Sequence, residues 1–171
     1  MNIRHTVIDT AALGPVTIVA TDAAVTGVYF RHHIRRPAQE LFGPPLSFVD
    51  DAVLGKAVGQ LLEYLLGQRR SFDLLLNPAG DDFQRRVWEQ VEAIEFGETT
   101  TYGQIAQRLG DSSSAYLVGQ AVGVNPLCIF IPCHRVIGAN GSLTGYAGGL
   151  KRKRALLELE EPAAVYAGRL F

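Results

Sequence analysis

The sequence predicts an α/β N-terminal domain with a small antiparallel sheet, followed by a mostly α C-terminal domain that carries a helix-turn-helix. Three observations predict it. Residues 5–9, 16–20 and 25–30 are short β-rich runs separated by turn residues. An apolar series at helical spacing follows over residues 53–66. Beyond Asn77-Pro78-Ala79-Gly80 the apolar pattern becomes a succession of short helices. That turn-rich break divides the chain into domains 1–80 and 81–171.

The three runs read as a meander, with Gly14-Pro15 and residues 21–24 as its turns. Residues 31–45 mix Arg, His, Pro and Gly without periodicity and read as a loop. Val53, Leu54, Ala57, Val58, Leu61, Leu62, Leu65 and Leu66 fall at helical spacing, and Gly67 is placed to end the helix. Residues 71–76 read as one more strand. In the second domain, Asp81-Asp82 complement the dipole of a helix whose apolar side is Phe83, Val87, Trp88, Val91 and Ile94, with Gly97 closing it. Residues 101–110 form a short helix ending in Gly. Residues 111–114 are a polar, N-capping turn, and residues 115–124 a second short helix stopped by Asn125-Pro126.

The bulk properties narrow the function classes. A chain of 171 residues suits one compact unit or two small lobes with a shared core. No apolar run approaches the roughly 20 residues of a membrane span, and Met1-Asn2-Ile3-Arg4-His5 lacks a signal-peptide core, so a cytoplasmic location is expected. Net charge is −1, but it is unevenly spread. Residues 1–101 hold nine Lys/Arg and 13 Asp/Glu, whereas residues 102–154 hold six Lys/Arg against Asp111 alone. A basic face of this kind suits phosphate, or is a solvated surface.

Ile131-Pro132-Cys133-His134-Arg135-Val136 is the segment richest in chemistry. A histidine and an arginine beside a cysteine favour its thiolate. A cysteine buried in a core strand is the alternative that these residues leave open. The second cysteine, Cys128, stands five residues earlier; in an extended segment the odd spacing puts the two on opposite faces, which disfavours a disulfide. Cys128, Cys133 and His134 match no zinc spacing, and His5, His32 and His33 have no cysteine near them, so no metal and no cofactor is expected.

Pro132-Cys133-His134-Arg135-Val136, preceded by Asn125-Pro126 and followed by Gly145-Tyr146-Ala147-Gly148-Gly149-Leu150, resembles the O6-alkylguanine-DNA alkyltransferases, the methylated-DNA–protein-cysteine methyltransferases. Phe83-Gln84-Arg85-Arg86-Val87-Trp88 and residues 97–106 extend the likeness, which runs from Asp82 to Glu160; the first 80 residues match only in layout. The resemblance implies a ribonuclease H-like N-terminal domain and a winged-helix-like C-terminal domain. It implies single-turnover transfer of the O6-alkyl group of guanine, or the O4-alkyl group of thymine, onto Cys133. His134 would take the thiol proton through a water, oriented by Glu160. Tyr102 would assist the leaving guanine, and Asn125 would brace the turn before the active-site segment. Val136, Tyr146, Ala147 and Gly148 would line the guanine pocket. Ser114, Ala115, Tyr116, Gly119, Arg135, Lys151 and Arg152 would face the DNA, with Lys153 and Arg154 adding phosphate contacts.

The implied partner is double-stranded DNA holding O6-alkylguanine, bound by a monomer or by cooperative assembly, without a membrane. Two positions depart from the family pattern. Tyr116 stands where the family has the arginine that fills the hole left by the flipped base, and tyrosine wedges without charge. Ala147 stands where a serine is frequent, so only its backbone N–H is left to hold O6. These departures motivate an alkyltransferase specialised for bulky adducts or unusual DNA. A non-catalytic lesion-binding protein is a further alternative, opposed by the presence of Cys133. A thiol hydrolase is opposed by the adjacency of Cys133 and His134.

Overall fold

Strands β1 (Ile3–Thr10), β2 (Gly14–Thr21) and β3 (Ala24–Phe30) form an antiparallel meander in that order, as the β-rich runs predict. The computed structural model describes residues 2–110 and 114–161. Gly14 takes a left-handed φ of 73° in the first turn, where Thr10 Oγ1 accepts from Leu13 N–H and donates to the Gly14 carbonyl. Val16, Ile18, Ala20, Val28 and Phe30 are buried in the main core. Val19 and Tyr29 belong to a smaller cluster closed by Phe42, which stacks on Tyr29. The loop expected at 31–45 therefore contains a short 3-10 turn, Gln39–Phe42, that delivers this cover.

Helix α1 (Ala52–Leu65) packs Leu54, Ala57, Val58, Leu61 and Tyr64 into the core, whereas Leu62 and Leu66 of the same apolar series are exposed, lying off the face that meets the sheet. Its start is held by one carboxylate with two duties. Asp51 accepts from the N–H groups of Val53 and Leu54 and pairs with Arg4 at 2.7 Å. Gly67, with φ 76°, follows the C-cap and turns the chain, as expected of a glycine there.

Residues 71–76 do not form the expected strand. They run beside β3 but join it through a single bridge between Leu76 and Val25. The reason lies in α1: the Gln60 side chain accepts from Asp73 N–H and donates to Asp73 C=O, which ties the middle of the segment to the helix instead of a strand ladder.

In the second half, α2 (Asp82–Glu92) begins with a capping box between Asp81 and Gln84. It ends at Glu92, short of the expected Gly97, because Ile94 N–H bonds Val91 C=O three residues back and tightens the last turn. Helix α3 (Tyr102–Leu109) starts on a Thr101–Gln104 capping box, and α4 (Ala115–Gly123) on Ser114. These are the two short helices of the predicted helix-turn-helix; residues 111–113 of its turn lie outside the described residues. Trp88 Nε1 donates to Ala121 C=O and ties α2 to α4. A parallel pair, β4 (Thr100–Thr101) with β5 (Val136–Ile137), and α5 (Leu150–Glu160) complete the set.

One buried cluster runs from Ile18 through Leu61 and Tyr64 to Trp88, Ile105, Val118 and Ile131. The sheet also reaches the second half directly. Val28 N–H donates to Pro126 C=O at 2.8 Å, and Val28 bridges Leu127. The edge of β3 thus carries the turn that leads into Cys133.

Candidate active site

Between α4 and β5 the chain reverses sharply. Asn125 braces the reversal: its Nδ2 donates to Ile131 C=O and its Oδ1 accepts from Leu127 N–H, both at 2.9 Å and both buried. Ile129 adopts φ 76°, an uncommon conformation for a β-branched residue. The segment is therefore not extended, and the expectation that the two cysteines face apart is corrected. Their Sγ atoms lie 3.9 Å apart, both thiols free.

Cys133 opens a 3-10 turn, Cys133–Arg135, and is 3% exposed. The neutral Cys133 thiol donates to Cys128 Sγ. The Cys128 hydrogen bond holds Cys133 below the ordinary thiol range against the effect of burial, with Asn125 and the Lys153 charge acting the same way. Cys128 is pushed well above that range by the hydrogen bond to Cys133 and by burial. Cys133 is thus the more readily ionised thiol of the pair.

Behind Cys133 lies a buried ionic cluster. Glu160, at the end of α5, faces His134 Nε2 at 2.8 Å and accepts from the Tyr64 hydroxyl. It also takes a fork from Arg135, Nε to Oε1 at 2.8 Å and Nη2 to Oε2 at 2.9 Å. Burial raises the Glu160 pKa, but the hydrogen bonds from His134 and Arg135 outweigh it and bring the carboxyl down to about 2. Burial keeps His134 below its usual value despite Glu160. With an ionised carboxylate at Nε2, the proton sits on that nitrogen. Nδ1 is left buried with no hydrogen-bond partner among the described residues.

Two expectations about cations are corrected here. Arg135, expected to face DNA, is 6% exposed; its third nitrogen donates to Ile94 C=O at 2.6 Å, so the whole guanidinium is used internally. Lys153, expected among the phosphate contacts, is fully buried and bonds the Val136 and Thr144 carbonyls at 2.6 and 2.7 Å. Burial lowers its pKa to about 8. Arg152 is half-buried: it donates to Leu13 C=O and Gly148 C=O and lies over the Phe30 ring, which joins the sheet to the Gly-rich loop. Lys151 and Arg154 are exposed.

A cavity of about 510 Å³ opens between α3, α4 and the Gly-rich loop, with Tyr102, Tyr116, Gly119, Tyr146 and Ala147 on its walls. Tyr102 donates its hydroxyl to Thr144 C=O at 3.0 Å. Tyr116 is 72% exposed at the start of α4, its hydroxyl accepting from Gln120 one turn on; Ser114 and Ala115 beside it are exposed. The buried Tyr146 hydroxyl lacks a hydrogen-bond partner among the described residues. Gly148 is required by close approach, since a Cβ there would lie 2.4 Å from the Phe30 ring. Val136 is buried in β5, its carbonyl taken by Lys153.

Sequence reasoning missed the N-terminal contribution. Tyr64 was available as a signal, because a hydroxyl on the core face of an amphipathic helix needs a partner. Ile34 and Arg35, which also line the cavity, sit in an aperiodic loop and gave none.

The meander-and-helix frame, the paired short helices α3 and α4 and the buried Cys-His-Glu cluster define a protein built around a buried, readily ionised thiol. The DNA-binding-domain profile of 6-O-methylguanine DNA methyltransferase matches residues 82–162. A methylated-DNA–protein-cysteine methyltransferase of Mycobacterium tuberculosis is 42% identical over 95% of this chain and 94% of its own. Its counterpart in Methanosarcina acetivorans is 40% identical over 86% of this chain and 92% of its own. The crystal structure of M. tuberculosis OGT in complex with DNA superposes with a TM-score of 0.83 at 42% identity, covering 92% of both chains. An O6-methylguanine DNA methyltransferase from Methanococcus jannaschii gives 0.64 at 30% identity, covering 90% of this chain and 92% of its own. The chain belongs to the methylated-DNA–protein-cysteine methyltransferase family.

Proposed function

We propose that this protein repairs alkylated DNA by moving the O6-alkyl group of guanine onto Cys133, irreversibly and once per molecule. The observation that carries the reading is the His134 ring, next in the chain to Cys133, tied at Nε2 to an ionised Glu160 and left with a buried Nδ1 that has no hydrogen-bond partner among the described residues, while the Cys133 thiol is held below its ordinary pKa range. His134 Nδ1 takes the Cys133 proton through a water, and Glu160 steadies the imidazolium that results. Cys133 Sγ then attacks the alkyl carbon. The S–C bond forms, the C–O6 bond breaks, and its electron pair returns to guanine. Tyr102 turns its hydroxyl from Thr144 to guanine N3 and donates there, which makes guanine a better leaving group. O4-alkylthymine offers the same displaceable carbon and is the second substrate.

In this reading Asn125 holds the active-site turn, and Val136, Tyr146, Ala147 and Gly148 form the guanine pocket, with the Ala147 N–H on O6. Ser114, Ala115, Tyr116 and Gly119 face the duplex with Lys151, and Arg152 Nη2, which makes no hydrogen bond to a described residue, adds to them. Tyr116 is the wedge that replaces the extruded base. The 510 Å³ cavity and the small side chain of Ala147 favour bulky O6 adducts as a variant of the same function. We assign residues 1–80 and 81–171 to ribonuclease H-like and winged-helix-like domains, supported by the three-stranded meander and by α3 and α4. The protein acts as a cytoplasmic monomer that assembles on DNA.

The test is intact mass after incubation with duplex O6-methylguanine DNA. A gain of one methyl group, mapped to Cys133 and absent from Cys133→Ser, is expected. Methyl transfer to the serine variant would overturn the assignment.

A further inference from the structure

We propose that Arg35, on the N-terminal loop, binds a DNA phosphate beside the extruded nucleotide and supplies the cation that the recognition helix lacks. The inference rests on the DNA-repair reading above.

The first observation is an absence of charge. Helix α4, Ala115–Gly123, reads AYLVGQAVG and holds no lysine or arginine. Tyr116, an uncharged side chain, is 72% exposed on it. Duplex DNA carries a dense row of phosphates, so a helix of this composition needs cations from elsewhere. Arg135 and Lys153 do not provide them, because their donors are committed to Glu160 and to backbone carbonyls.

Arg35 is placed to answer this. It lines the cavity that holds Tyr102, Tyr116 and Ala147, and also an adjoining hollow of about 280 Å³ beside Leu117, Gln120 and Val124. It therefore stands along α4 at the mouth of the base cavity. Its loop is pinned there: Ile34 N–H donates to Ala147 C=O at 2.8 Å, and Arg36 N–H closes a turn on His33 C=O. Arg35 itself holds φ 59°, a conformation that a residue with a side chain rarely adopts.

The guanidinium is exposed and makes no hydrogen bond or ion pair with another described residue. Its neighbour Arg36, by contrast, is held by Gln39 and the Phe42 ring. Asp81, the one acid on the adjoining hollow, has its carboxylate engaged as the cap of α2. A free fork on a rim loop, outside the helix that enters the groove, reaches the sugar-phosphate backbone and not the base stack. Phosphate oxygens accept such a fork well.

The roles then divide. Tyr116 wedges into the stack as a neutral ring, and Arg35 anchors the backbone from the opposite lobe. One arginine usually combines wedge and charge; here two residues from two halves of the chain share them.

The experiment compares the full chain with Arg35→Ala and Arg35→Lys. Binding to an undamaged labelled duplex is measured across a salt series, together with single-turnover alkyl transfer from an O6-benzylguanine duplex and from free O6-benzylguanine base. For Arg35→Ala the slope of log K against log salt should fall by about one, and the ratio of duplex to free-base transfer rates should fall roughly tenfold. Arg35→Lys should keep the slope and most of the ratio, because a point charge suffices for phosphate. An unchanged slope and ratio in Arg35→Ala would overturn the proposal. So would a loss in Arg35→Lys as deep as in Arg35→Ala, which would move the contact to a base edge. If the wild-type protein takes no alkyl group, the repair reading fails, and the salt slope still judges Arg35.

Discussion

The Tyr64 hydroxyl in α1 donates to Glu160 at the end of α5, across 96 residues of sequence. The N-terminal half thus supports the carboxylate that orients His134, and the buried cluster belongs to both halves. Tyr64→Phe removes one donor from a buried anion. It should lower stability by about 1.5–3 kcal/mol, read by denaturant melts, and slow alkyl transfer less than Glu160→Gln does.

The same cluster sets an acid limit. The Glu160 pKa falls from an ordinary 4.5 to about 2 in the folded protein. A depressed carboxyl stabilises the fold at pH above about 4.5, and that contribution is lost as pH falls toward 2. It amounts to at most about 3 kcal/mol. Stability measured from pH 6 to pH 2 should decline through this window, and Glu160→Gln should flatten the decline.

Arg135 is a structural cation. Arg135→Lys loses the fork on Glu160 and should cost about 2–3 kcal/mol. The salt slope of DNA binding should stay at the wild-type value. A slope reduced by one would return Arg135 to the DNA surface.

Cys128 tunes its neighbour. Cys128→Ala removes the hydrogen bond that favours the Cys133 thiolate, so the pH profile of Cys133 alkylation by iodoacetamide should move to higher pH. At pH 7 the reaction should slow several-fold. Lys153→Met should move the profile the same way by removing a positive charge, and should also destabilise the fold, because the Val136 and Thr144 carbonyls lose their donor.

Tyr116→Arg places charge and wedge on one side chain. Transfer from duplex O6-methylguanine should rise several-fold, and Tyr116→Ala should lower it. Equal rates for Tyr116 and Tyr116→Arg would show that the ring, with Arg35 beside it, is a sufficient substitute.

Local chemistry in the sequence was enough to find the meander, most of the helix faces, the acidic start of α2, the capping turn before α4, and the Cys133-His134 pair. Each is settled by residues within a few positions of one another, through propensity, periodicity and capping. The expected strand at 71–76 failed because Gln60, which is distant in sequence, takes the backbone of Asp73. The expected separation of the cysteines failed because Ile129 adopts a left-handed conformation imposed by the packed turn.

The reactive segment and the elements that present it can be read from the residues alone. Which charges are free depends on the fold. Arg135 and Lys153 read as surface cations in a basic stretch, yet both are buried because Glu160 and unpaired carbonyls wait for them. Arg35 read as part of an aperiodic loop, yet it stands beside α4 without an ion pair to any described residue. Charge is visible in a sequence, but its partners are not, because an ion pair or hydrogen bond depends on distances of a few ångströms that only the fold creates.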